Sequence, residues 1–167
     1  MRWIKALILG MAAVLVSGAA AHAAEPPIGG AWIGAVEDVA QIQFAEDPNW
    51  QAASASMPLL PGDRLQLGPS GRFEILLTNT TAIRLGPDSA AQIVAVPPAD
   101  AGWDGTAEMD LATGRAIVVP GDGERTRPVV TLNAPGTRIQ VYPRSHLHAR
   151  VVAAGATDAL PFASLFE

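Results

Sequence analysis

Residues 61–85 read PGDRLQLGPSGRFEILLTNTTAIRL. Leu65 and Leu67 alternate with Arg64 and Gln66. Phe73, Ile75 and Leu77 alternate with Arg72 and Glu74. Thr81, Ile83 and Leu85 alternate with Ala82 and Arg84. A period of two marks half-buried strands, because successive side chains on a strand point to opposite faces. The separators are Pro61-Gly62-Asp63, Gly68-Pro69-Ser70-Gly71 and Asn79-Thr80, all turn chemistry. The stretch therefore predicts three successive strands with one apolar face.

Register constrains the last turn. A two-residue loop at Asn79-Thr80 sets Ile75 opposite Arg84 and mixes the two faces. A three-residue loop sets Ile75 opposite Ile83 or Leu85, with Asn79 or Thr80 in the left-handed position. The triplet Asn79-Thr80-Thr81 also fits a glycosylation sequon; a plain turn is the simpler reading.

The N-terminus carries an address. Met1-Arg2-Trp3-Ile4-Lys5 is a short positive start, residues 6–16 are apolar, and residues 17–24 are small, with Ala21-His22-Ala23 fitting an A-x-A cleavage pattern. Residues 1–23 read as a secretory signal peptide. An uncleaved anchor needs the flanking small residues to lengthen the apolar run. With no twin Arg and no Cys to carry a lipid, the expected destination is the periplasm by the general export route.

Removing residues 1–23 leaves 144 residues, the size of one domain. Nine basic residues, all Arg, then face 16 acidic ones, a net charge of −7. That balance argues against nucleic acid and against an anionic membrane surface as partner. The chain has no Cys, which excludes a thiol nucleophile, a thiolate metal site and disulfide staples. Stability must come from apolar burial, for which a domain of this size suffices.

Residues 24–31 form a linker. Residues 32–44 read as two short strands with a turn near Glu37-Asp38; a helix competes, because Val36, Val39 and Ile42 repeat by three. Residues 46–56 read as a loop from which Trp50 covers the core. Pro87-Asp88-Ser89 is a turn, residues 91–96 a strand, and residues 99–105 a loop holding Trp103. Ala107, Met109 and Leu111 alternate with Glu108 and Asp110, Thr113-Gly114 turns the chain, and residues 115–119 form another strand. Residues 121–127 read as a hairpin tip. Strands at 129–132, 138–142 and 147–152 follow, with a turn at Ala134-Pro135-Gly136, and residues 154–167 form a tail. About ten short strands at this spacing predict an all-β, compact two-layer β-sandwich or β-roll.

The order of motifs adds a resemblance. It runs Gly34-x-Val36, Leu60-x-Gly62-Asp63-x-Leu65, Gly71-Arg72-x-Glu74-Ile75-x-Leu77 and Ile83-Arg84-Leu85-Gly86-x-x-Ser89. It continues Leu111-x-x-Gly114-Arg115-x-x-Val118 and Thr131-x-x-Ala134-Pro135-Gly136. Residues 32–153 resemble the FecR-like periplasmic domain. The resemblance implies an all-β domain that binds other proteins rather than catalysing. In the founding members that domain is the outer part of a membrane-bound regulator of sigma factors. Five residues stand ahead of the apolar run here, too few for the cytoplasmic part of such a regulator. The family's Asp-Gly-Ser turn is replaced by Asn79-Thr80-Thr81. The resemblance thus implies a stand-alone exported domain, a protein–protein interaction or envelope signalling module. The alternative is a periplasmic binding module for a small ligand, a cell-wall glycan or a metal.

Candidate chemistry is sparse. His146 and His148 form an H-x-H pair sharing one strand face with Arg150. Two such histidines can hold a metal with help from a neighbouring strand, such as Glu74 or Asp110; a polar outer face is the plainer reading. Arg138, Arg144 and Arg150 are candidates for a small anion patch. Ser70 in Gly68-Pro69-Ser70-Gly71 lacks the spacing of a nucleophile elbow. The 121–124 segment lacks the alternating ligands of a calcium loop. Asp63 reads as a cap for its own turn's amides. Trp32, Trp50 and Trp103 suit either sugar stacking or covering a small core, and Phe162 and Phe166 form an apolar piece of the tail. No catalytic, cofactor-binding or metal residue is assigned, and the expected class is not an enzyme. If residues 1–23 are a cleaved signal, intact-mass measurement of the exported protein finds a chain beginning at Ala24. A chain retaining Met1 in the membrane fraction identifies an anchor instead.

Overall fold

The computed structural model describes residues 30–78, 80–101, 105–122 and 126–152. The expected signal peptide, Asn79 of the sequon, Trp103, Gly123 and Glu124, and the 154–167 tail lie outside the described residues. Eleven strands make up the described chain: β1 (Ala31–Glu37), β2 (Ala40–Gln43), β3 (Gln51–Ala52), β4 (Arg64–Leu67), β5 (Arg72–Leu77), β6 (Ala82–Leu85), β7 (Ala90–Ala95), β8 (Ala107–Val119), β9 (Val130–Ala134), β10 (Thr137–Val141) and β11 (Leu147–Val151). The fold is all-β, with no helix among the described residues.

The strands form one curled sheet that β8 divides into two arms. In the first arm β1 pairs β5, β5 pairs β6, β6 pairs the C-terminal half of β8, and that half pairs β11. In the second arm the order is β3, β2, β4, β7, the N-terminal half of β8, β9 and β10. Every pair is antiparallel except β8 with β9. Both arms put their apolar faces into one core, which includes Ile33, Phe73, Ile75 and Ile83 from the first and Ile42, Leu65, Met109 and Leu132 from the second. The expected two layers are these two arms. Burying each large side chain contributes roughly 2 kcal/mol.

The central stretch folds as its alternation dictates. Leu65, Leu67, Phe73, Ile75, Leu77, Thr81, Ile83 and Leu85 are all buried. Ile75 lies opposite Ile83 and Phe73 opposite Leu85. The Leu77 N–H donates to Thr81 O at 3.0 Å, leaving a three-residue loop, and Thr80 takes the left-handed position at φ 60°. One expectation needs correction. β4 and β5 do not share a sheet face; β4 lies in the second arm and β5 in the first. The turn at 68–71 therefore carries the chain across the core. It is braced by the Gly68 N–H donating to Val39 O at 2.9 Å.

Residues 32–44 form two strands rather than a helix. Asp38, at φ 62°, breaks the chain between them, and Val39, a member of the supposed helical stripe, is exposed. Trp50 does not cover the core: it is 40% exposed, beside the short edge strand β3. The strands on either side of residues 121–127 are not the arms of a hairpin: β9 pairs in parallel with the start of β8, in the second arm. Pro135-Gly136, with Gly136 at φ 75°, turns β9 into β10.

Thr113-Gly114 is not a turn between strands either. β8 runs through it for 13 residues. The inward residues are Ala107, Met109 and Leu111 before it, and Ala116 and Val118 after it. The phase of burial slips by one residue. A bulge does this: Ala91 pairs Leu111, yet its neighbour Ala90 pairs Thr113. Gly114 sits at φ +99°, and a Cβ there would lie 2.2 Å from Ser89 Oγ and 2.3 Å from Ser89 Cα. Ser89 fills that space and ties the bend. Its hydroxyl donates to Gly86 O at 2.7 Å and accepts from the Arg115 N–H at 3.0 Å. Gly114→Ala therefore meets both a left-handed backbone and a backbone collision. Urea denaturation of this variant should show a loss of about 3 kcal/mol or more, against little change for Ala112→Gly beside it.

Candidate functional site

The outer face of the first arm carries a cleft of about 670 Å³. Register lays out its side chains in rows. Ala35 of β1 pairs Glu74 of β5, Glu74 pairs Arg84 of β6, Arg84 pairs Ile117 of β8, and Ile117 pairs His148 of β11. In the next row Glu37 pairs Arg72, and Arg115 pairs Arg150. Between those two pairs the Gly86 N–H donates to Arg115 O at 3.0 Å. Gly86 has no side chain, so the row is open there.

Charge is unevenly spread along this face. At the β1–β5–β6 end each arginine has a carboxylate: Arg72 meets Glu37 at 3.4 Å and Arg84 meets Glu74 at 2.7 Å. At the β8–β11 end Arg115, Arg150 and His148 stand together, and none of them makes an ion pair among the described residues. The strand alternation explains why these side chains point out. Ala116, Val118 and Leu147 are buried, which sends Arg115, His148 and Arg150 to the opposite face.

The predicted H-x-H face is present. His146, His148 and Arg150 are exposed and alternate with buried Leu147 and half-buried Ala149 and Val151. The ligands suggested to complete a metal site are elsewhere. Asp110 lies in the second arm, where it accepts from Asn133 Nδ2 at 2.8 Å. Glu74 is three strands away from β11 and is engaged by Arg84. Among the described residues no three His, Asp or Glu side chains cluster to hold a metal ion. The arginines grouped from sequence are also separated. Arg138 is on β10 in the second arm, 3.3 Å from Glu108, and Arg144 lies in the turn before β11 at φ 65°. Arg150 instead faces Arg115, which sequence reasoning passed over. The available signal was Arg115's place beside Gly114, outward of a buried run.

The remaining candidates are structural. Ser70 is exposed in the tight turn closed by the Gly71 N–H donating to Gly68 O at 3.0 Å. Trp32 lies on β1 in the first arm and Trp50 beside β3 in the second, so they form no common row. Asp63 is 1% exposed. Its Oδ1 accepts from the Ala45 N–H at 3.0 Å and its Oδ2 from the Leu60 N–H at 2.8 Å. Both oxygens are committed to holding two loops against the start of β4.

No family model matches the chain, and neither a curated protein nor a solved structure matches it. The likeness to the FecR-like domain rests on the order of the motifs in the sequence. The fold defines an all-β domain whose most featured surface is the cleft on the first arm. Replacing Asp63 by Ala strands two loop amides. Thermal or urea unfolding should show a loss of about 2 kcal/mol, and Asp63→Asn, which keeps one acceptor, should cost less.

Proposed function

We propose that the chain is an exported, non-catalytic FecR-like β domain that acts as a protein–protein interaction or envelope signalling module. The motif order supports the family reading. The observation that carries the interaction reading is the edge at β11. This strand pairs β8 on one side, and no described strand pairs its other side. It is five residues long and borders the cleft. An unpaired edge is a template for an added strand, with main-chain hydrogen bonds giving affinity and neighbouring pockets giving selectivity. Asp63, read from sequence as a turn cap, spends both carboxylate oxygens on backbone amides. A second reading, small-ligand binding, is favoured by the arginines of the same cleft.

Edge pairing has a direct test. Amides along a strand point alternately inward and outward, so one of the variants His148→Pro and Ala149→Pro removes an outward N–H without touching the pairing to β8. Thermal unfolding identifies which of the two keeps the fold. Immobilised parent protein should retain a defined species from an envelope extract of the organism that encodes it. The folded proline variant should retain at least about tenfold less. Equal retention by parent and variant rejects the edge as the docking site, and no retained species at all rejects the interaction reading.

A further inference from the structure

We propose that the β8–β11 end of the cleft is a binding site for a small dianionic group, phosphate or dicarboxylate in chemistry, held between the guanidinium groups of Arg115 and Arg150. The site needs no protein partner and stands apart from the edge-pairing proposal.

The first observation is register. Arg115 and Arg150 are directly opposite on neighbouring strands. Side chains so placed have their Cβ atoms about 5 Å apart, and like charges there destabilise the sheet. The second is that nothing in the described protein relieves them. Arg72, Arg84 and Arg138 each have a carboxylate within ion-pair distance; Arg115 and Arg150 have none. Asp88 is the acidic residue on that side, lining the adjoining cleft of about 380 Å³, and it pairs with neither arginine. A local rule broken without compensation among the described residues points to a bound counter-charge.

The third observation is place. Arg115 and Arg150 line both the larger and the smaller cleft, so both residues stand where the two clefts adjoin. Gly86 leaves room beside them: a Cβ at that position would already approach Arg115 Cβ to 3.3 Å. Half-buried Ile117, on the same face and opposite His148, lends an apolar floor beside the charges. His148 adds a third donor next to Arg150 along β11. Two guanidinium forks suit an anion with two charges, because each fork can give two parallel hydrogen bonds to one phosphate or carboxylate group. The whole chain carries a net charge of −5. Such a chain offers an anion no long-range attraction, and the exposed arginines are themselves screened by salt, so binding weakens as ionic strength rises.

The test uses the exported chain and two probes, inorganic phosphate and succinate, titrated at matched ionic strength against chloride. Binding is read by calorimetry and by the chemical shifts of arginine Nε–H groups. One saturable site per chain is expected for at least one probe, and which probe binds assigns the anion class. Arg115→Gln and Arg150→Gln should each weaken binding by at least about tenfold, while Arg138→Gln on the second arm should change it less than about twofold. Without ligand, Arg115→Gln and Arg150→Gln should melt at or above the parent temperature, since either change removes the repulsion. Saturation by neither probe, or equal weakening by Arg138→Gln, overturns the site. So does a large loss of stability in both cleft variants, because it would show the two arginines serving the fold.

Discussion

The bend of β8 over Ser89 is the contact on which the two arms depend. β8 serves the second arm with Met109 and Leu111 and the first with Ala116 and Val118. To do both it must change direction and shift its inward phase by one residue. The absent side chain of Gly114 makes the shift possible, and the Ser89 hydroxyl makes it stable by accepting from the Arg115 N–H and donating to Gly86 O. Ser89 also gives its carbonyl to the Leu67 N–H at 2.9 Å, which ties β4 into the same knot. Three crossings of the core, at 68–71, at Gly86–Ser89 and at Gly114, therefore meet around one small polar residue that is 1% exposed. An apolar core built this way has no need of a disulfide, provided that this polar residue keeps its hydrogen bonds.

Alternation made the faces of the strands legible because it records directly which side chains leave water. It made the β5–β6 register legible too, since only a three-residue loop puts Ile75 opposite Ile83. It does not record which strand lies alongside. β4 and β5 are four residues apart in the chain and in different arms, while Leu85 of β6 sits against Ala116, thirty-one residues on. The break at Thr113-Gly114 was visible as a lost phase beside a glycine. A turn and a bulge both produce that signature, and the choice between them lies with Ser89, which is remote in sequence. The same limit applies at 121–127, where polar composition marks a connection but not its destination.

The site was half legible for the same reason. Strand geometry alone placed His146, His148 and Arg150 on one face. It could not place Arg115 opposite Arg150, nor put Arg138 on the other arm, because both facts are set by long-range pairing. The acidic balance of the chain also hid the site: a net charge of −5 gives no sign that two arginines stand opposite each other at one end of one sheet face.

The motifs behind the proposed FecR-like reading divide into two groups once placed in the fold. Gly62 and Asp63, Gly86 and Ser89, Gly114, and Pro135-Gly136 hold turns, bends and loops, and their roles need no partner. Arg72, Glu74, Arg84 and Arg115 do not serve the core; all four line the cleft of the first arm. Exposed ion pairs such as Arg72 with Glu37 contribute at most about 1 kcal/mol, so the fold has little use for them. What they do is set the charge of the face. Toward β1 the motif arginines are neutralised and the surface is bland. Toward β11, Arg150 lies outside the motifs and adds a second positive charge where the motifs supply one, so the same face ends in an unbalanced pair. The turns thus account for the architecture, and the proposed anion site falls at the end of the face where the last described strand joins the motif residues.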